Sequence, residues 1–184
     1  MSALSWIALV FGVLGVWLTI RQTIYCWPVS LVAVVASIAE FYYQRLYGDM
    51  SLQIFYFFAG IYGWVYWNSH ASAEFKVARM ELTFLPVMLL LTVLQALLYY
   101  FIISYFNGDR PVLDSILTAS SLTATYMMTR KWIENWIAWV VIDGAYVILY
   151  GLKEMWLFGI LYLLFAVMAY YGYLKWKTSL RSAS

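Results

Sequence analysis

Charge, cysteine and histidine are all scarce in this 184-residue chain, and each shortage closes off a class of protein. Charged residues make up 11% of it, about half of what a soluble domain uses to cover its surface. Cys26 is the only cysteine, which excludes an intrachain disulfide and a CxxC redox pair. His70 is the only histidine and falls in a loop, so a Cys/His metal centre has no ligand set, and no metal or cofactor is expected. A net charge of +2 gives a nucleic acid no electrostatic footing. The first residues, Met1 to Trp6, lack a basic n-region and a small-x-small cleavage site, so the opening apolar run reads as a retained helix rather than a signal peptide.

Catalytic signatures are missing as well. There is no Gly-x-Ser-x-Gly, no Gly-rich phosphate loop, and no partner for His70 in a nucleophile–base set. A paired-acid mechanism would have to bring Glu40 and Asp143 together from distant helices, and nothing else supports it. The chain is therefore expected not to be an enzyme.

What is present is hydrophobicity: 65% of residues are apolar, mean hydropathy is +0.79, and the apolar residues come in long runs separated by short polar gaps. A helix needs about 20 such residues to cross the hydrocarbon core. Seven candidates fit, at roughly 3–20, 24–43, 50–68, 80–106, 112–129, 132–151 and 155–176. Backbone groups in lipid must bond within their own segment and the runs lack period-two alternation, so the fold class is all-α integral membrane with seven transmembrane helices. Basic residues then set the orientation. Arg45, Arg110 and Lys153 fall on the side of the N-terminus; Arg21, Lys76, Arg79, Arg130, Lys131, Lys175, Lys177 and Arg181 fall on the other. That bias places the N-terminus outside and the C-terminus in the cytoplasm.

The chain also repeats itself. Leu46-Tyr47-Gly48 and Tyr62-Gly63-Trp64-Val65-Tyr66-Trp67 return as Leu149-Tyr150-Gly151 and Tyr171-Gly172-Tyr173-Leu174-Lys175-Trp176, with a mismatch in the spacing between the two motifs. The expected organisation is a single transmembrane domain made of a first repeat (about 3–68), a connector helix (about 80–106) and a second repeat (about 112–176). Units of three helices joined by one odd helix share an orientation. Such parallel repeats occur in transporters with a site at the repeat interface.

Polar groups at membrane depth each ask for a reason. The fifth span carries Asp114, Thr118, Ser121 and Thr125 on one helical face, and the sixth carries Trp132, Trp136, Trp139, Asp143, Tyr146 and Tyr150. The third shows Gln53, Tyr56, Gly60, Trp64 and Trp67 in the same rhythm, followed by Asn68, and the second offers Ser30, Ser37, Glu40 and Gln44. Together these stripes describe a pocket for a flat, cationic heteroaromatic solute. Indoles suit ring stacking, and cation–π attraction is worth roughly 2 kcal/mol or more when desolvated; Glu40 and Asp143 supply countercharge. The bland alternatives are interfacial aromatic belts for Trp67, Trp132 and Trp176, and helix packing for the Ser and Thr of the fifth span and for Gly12, Gly15, Gly60 and Gly144. Asp114 and Pro111 also suit a helix start. A helper subunit with no solute of its own would have less reason to keep polar stripes on several helices.

Ile24-Tyr25-Cys26-Trp27-Pro28, Leu46-Tyr47-Gly48-Asp49-Met50, Tyr62-Gly63-Trp64 and Glu134-Asn135-Trp136-Ile137-Ala138-Trp139 with Asp143 resemble the PnuC-type vitamin transporters, over about residues 24 to 176. The resemblance implies a three-plus-one-plus-three helix arrangement like that of the sugar-transporting SWEET proteins. It implies facilitated uptake of a vitamin into a bacterium across the inner membrane, trapping by a cytoplasmic kinase, and a homotrimer in the typical branch. The solutes it implies are nicotinamide riboside, thiamine or riboflavin. The typical branch carries a Gln in the segment that reads Ser121 to Tyr126 here, and Glu40 would suit a thiazolium, so thiamine is expected first, nicotinamide riboside next and riboflavin third. The substrate-binding residues expected are Glu40, Gln53, Tyr56, Trp64, Trp67, Asn68, Ser121, Thr125, Asn135, Trp136, Trp139 and Asp143.

Overall fold

Among the described residues seven α-helices follow one another: α1 (Ala3–Ile20), α2 (Cys26–Tyr43), α3 (Tyr47–Ser69), α4 (Leu85–Tyr105), α5 (Pro111–Thr129), α6 (Glu134–Leu152) and α7 (Trp156–Arg181). The structure is a computed structural model, and it describes residues 2–181 apart from 46, 72–74, 106–110, 153 and 155. Leu46, Arg110 and Lys153, named above, lie outside the described residues. Among the described residues, five segments are long and apolar enough to cross a membrane: α1, α2, 82–105, α6 and most of α7. The helices α3 and α5 are more polar, the first through Gln53 and its tyrosines, the second through Ser and Thr at 115, 118, 120, 121, 123, 125 and 129.

Large apolar side chains stay exposed on every helix, among them Val10, Val35, Phe58, Leu90, Phe101, Val141 and Ile160. A soluble protein rarely leaves so much apolar surface uncovered; a bilayer is the solvent that tolerates it.

The chain divides into two compact units, Met1–Phe75 and Lys76–Ser184. In the first, α2 packs against both α1 and α3. Small residues permit the approach: a Cβ at Gly15 would overlap the Ser30 side chain, and one at Gly60 would fall 2.9 Å from Leu31 Cδ2. Gly144, expected to pack in the same way, has nothing within 4 Å of its would-be Cβ and is not a packing glycine.

In the second unit, α5 packs against α4 and α6, and α6 against α7. Thr92 and Thr123 join α4 to α5 by a 2.7 Å hydrogen bond. The helix α4 begins later than its hydropathy suggests. Ala78 pairs with the α5–α6 corner instead, donating to Lys131 O at 3.1 Å and accepting from Ile133 N at 2.9 Å, while Met80 N donates to Glu134 Oε2 at 3.0 Å. A single 3-10 turn at Leu82–Phe84 then leads into the helix.

The two units repeat one local geometry at a constant separation of 109 residues. Helices α1 and α5 end in the same way. Gln22 and Lys131 (131 − 22) take positive φ, 58° and 51°. Gln22 N donates to Thr19 O and Thr23 N to Leu18 O; Lys131 N donates to Met128 O and Trp132 N to Met127 O. Both are Schellman ends that satisfy the last carbonyls of the helix. Arg45 and Glu154 (154 − 45) also take positive φ after α2 and α6, 59° and 57°, and donate their N–H groups to Tyr42 O and Gly151 O. The Tyr62-Gly63 and Tyr171-Gly172 motifs share this register (171 − 62), whereas Tyr47 opens α3 and Tyr150 lies within α6. The Leu-Tyr-Gly pairing read from the sequence is therefore out of register, which removes the spacing mismatch.

Candidate functional site

The first three turns of α6 hold the buried Asn135, Trp136 and Asp143 together with the half-buried Trp139. Trp136, Trp139 and Asp143 follow one another at three and four residues and share a face. Asn135 is fully buried. Its Nδ2 donates to Trp132 O at 2.6 Å, which fixes the amide and leaves Oδ1 without a hydrogen-bond partner among the described residues. An acceptor left bare in this way costs about 1–3 kcal/mol.

Asp143 is 5% exposed, and among the described residues no hydrogen bond or ion pair reaches its carboxylate. An unpaired buried carboxylate is expensive, and the described residues supply neither a cation nor a donor to it. Trp139, one turn away, is half-buried and keeps part of its ring accessible.

Trp136 is different. It is 2% exposed, its ring lies over Gly172, where a Cβ would fall 2.8 Å from Cδ2, Cε2 and Cε3, and it meets Trp176 edge-to-face at 5.3 Å and 89°. A ring enclosed like this offers no face for stacking, so Trp136 packs α6 on α7. Trp67 is likewise buried, edge-to-face with Trp27 at 5.5 Å and 88°. Trp67 and Trp176, considered as belt residues, are core residues instead. Further along α6, Tyr146 and Tyr150 interleave with Tyr162 and Phe158 of α7 as near-parallel rings 4.5–5.3 Å apart.

The hydroxyls of α5 are committed to their own helix: Ser121 Oγ donates to Leu117 O at 2.8 Å and Thr125 Oγ1 to Ser121 O at 2.9 Å. Both are buried. Their donors are used locally, leaving only acceptor lone pairs for any other role.

In the first unit the predicted residues do not converge. Glu40 sits near the C-terminal end of α2, where its carboxylate accepts from Ser2 Oγ, from Ser5 Oγ at 3.1 Å and from Gln44 Nε2. It clasps the N-cap of α1 and is not a bare countercharge. Gln53 and Tyr56 are half-buried and Asn68 is exposed. Trp64 is 42% exposed and borders a groove of about 450 Å³ with Pro28, Leu31, Leu4, Ile7 and Val35. That groove is apolar throughout, so it lacks the hydrogen-bonding groups that the stripes predicted.

Sequence reasoning missed Trp27, Gly63 and Gly172 as a packing set. The signal was available: Gly63-x-x-x-Trp67 and Gly172-x-x-x-Trp176 are one motif, and each lies at the same distance after a tryptophan, Trp27 or Trp136.

A family model described as nicotinamide mononucleotide transporter matches residues 2–178. Among curated proteins, the nicotinamide riboside transporter PnuC of Escherichia coli is 29% identical over 209 residues, which covers 97% of this chain and 87% of the relative. The riboflavin/roseoflavin transporter RibM of Streptomyces davaonensis is 24% identical over 175 residues, 91% of this chain and 81% of that one. Among solved structures, a crystal structure of the vitamin B3 transporter PnuC superposes with a TM-score of 0.80 at 20% identity, over 98% of this chain and 83% of that chain. The last likeness is one of fold.

Proposed function

The chain belongs to the nicotinamide mononucleotide transporter family, and from that premise we propose that it carries nicotinamide riboside into the cell across the bacterial cytoplasmic membrane. As a vitamin transporter of this family it is a multi-pass membrane protein and not an enzyme. The observation that carries the solute reading is the α6 pair of Asp143, buried without a partner among the described residues, and Trp139, half-buried one turn away. A pyridinium ring is flat and positively charged, so it answers the carboxylate and the indole together. Asn135 Oδ1, bare and buried, suits a carboxamide N–H or a ribose hydroxyl.

Thiamine, favoured on the sequence, loses its main support. Glu40 was its countercharge, and that carboxylate is taken by Ser2, Ser5 and Gln44. The 29% identical relative is named for nicotinamide riboside and the 24% identical one for riboflavin, so riboflavin becomes the competing solute.

We further propose that α1–α3 and α5–α7 are two copies of one unit. Positions that build the unit agree across the register of 109 (136 − 27): Trp27 with Trp136, Gly63 with Gly172, Trp67 with Trp176, and the two Schellman ends. Positions on the α6 face do not. Cys26, Ser30 and Val34 stand where Asn135, Trp139 and Asp143 stand in the second unit. In a duplicated scaffold, shared residues serve the scaffold and divergent polar ones serve the solute.

Uptake on this reading follows the solute gradient, with phosphorylation by a cytoplasmic kinase trapping the product. The loop charges support a cytoplasmic C-terminus, and a trimer remains the expectation from the family resemblance. The test is binding of nicotinamide riboside to the purified protein and to its Trp139→Ala variant. Binding that Trp139→Ala abolishes supports the reading; binding that survives it moves the ring elsewhere.

A further inference from the structure

We infer that Gly172 is a positioning residue for the α6 site, acting through Trp136; the inference rests on the solute reading above. Gly172 is buried on α7, and a Cβ there would lie 2.8 Å from three atoms of the Trp136 ring, closer than side-chain carbons pack. The ring cannot turn aside, because it is 2% exposed and Trp176 closes its edge at 5.3 Å. Its Nε1 has no hydrogen-bond partner among the described residues, so shape alone holds the indole in place.

Trp136 shares its α6 face with Trp139 and Asp143, one and two turns away. Whatever sets the approach of the Trp136 ring to α7 therefore sets where Trp139 and Asp143 point. The first unit builds the same socket. A Cβ at Gly63 would overlap Cη2, Cζ2 and Cζ3 of Trp27, Trp27 meets Trp67 edge-to-face, and Trp27 Nε1 is likewise unpartnered among the described residues. A bare glycine face, an enclosed indole and a second tryptophan four residues on form one device, used in each unit to set the rotation of the middle tryptophan-bearing helix.

The test is a mutant cycle on Gly172 and Trp136, read by calorimetric titration of nicotinamide riboside into the detergent-purified full chain. Wild type is titrated first, and failure to bind overturns the solute reading. In either case the position of the face is read independently from the alkylation rate of a cysteine at Asp143→Cys in a Cys26→Ala background. Gly172→Ala is expected to weaken binding at least tenfold with helicity retained, and to change that alkylation rate at least threefold. Trp136→Leu removes the plate that the new methyl would strike. Gly172→Ala added to Trp136→Leu should therefore bind, and alkylate, within twofold of Trp136→Leu alone. If Gly172→Ala does not purify as a single species, this second comparison decides. A Gly172→Ala protein with wild-type affinity and alkylation rate, or an equal penalty for Gly172→Ala with and without the indole, would overturn the inference.

Discussion

Asp143 and Glu40 are both carboxylates on membrane-spanning helices, and their neighbours separate them. Glu40 accepts hydrogen bonds from Ser2, Ser5 and Gln44, whereas Asp143 has no partner among the described residues. Asp143→Asn keeps the shape and removes the charge. It should weaken nicotinamide riboside binding at least tenfold, about 1.4 kcal/mol, and leave the uncharged riboflavin ring system far less affected; calorimetry with both solutes reads the difference. Glu40→Gln should leave affinity within threefold of wild type and lower the thermal midpoint, because it loosens the clasp on α1. A large loss of affinity in Glu40→Gln would restore the thiamine argument. Composition placed both acids at membrane depth. Which one was bare depended on Ser2 and Ser5 arriving from another helix, a contact that helical spacing along α2 cannot reveal.

At the scale of the element, α5 is where periodicity is most ambiguous. Its hydroxyls fall on one face as a binding stripe would, yet Ser121 and Thr125 donate to their own helix and Thr123 to α4 residues. Back-bonding to the previous turn is an ordinary resource for Ser and Thr in apolar surroundings. Ser121→Ala should thus change affinity less than threefold, measured by the same titration. Thr123→Val breaks the 2.7 Å bond to Thr92 and should cost on the order of 0.6 kcal/mol in a detergent unfolding assay. The helices themselves were legible because each is a long apolar run. The start of α4 was not, since Ala78 is held by backbone pairing to the α5–α6 corner and Met80 N by the Glu134 side chain rather than by hydropathy. The burial of Trp67 and Trp176 was hidden for a related reason: an indole near a span end reads the same whether it meets headgroups or packs against another helix.

For the whole molecule, the seven-helix membrane fold and the family were readable from hydropathy and motifs together, and the solute was not. The register of 109 residues proposed for the repeat rests on backbone angles at Gln22, Arg45, Lys131 and Glu154, none of them a glycine and none distinctive as a letter. Two outcomes belong to this scale. A cysteine at Ser179→Cys, in a Cys26→Ala background, should be alkylated by an impermeant reagent only after the cells are opened, which places the C-terminus inside; labelling in intact cells would reverse the orientation. Uptake into vesicles without a kinase should equilibrate and be indifferent to a protonophore; collapse on its addition would show coupling to protons.

On the proposed reading, α6 presents Trp139 and Asp143 to a flat cationic vitamin. Parallel titration of nicotinamide riboside, riboflavin and thiamine into the purified protein, with tryptophan fluorescence and calorimetry, tests it most directly. Nicotinamide riboside should bind most tightly, with quenching that disappears in Trp139→Ala. Tighter binding of riboflavin or thiamine, or quenching unchanged by Trp139→Ala, would contradict it.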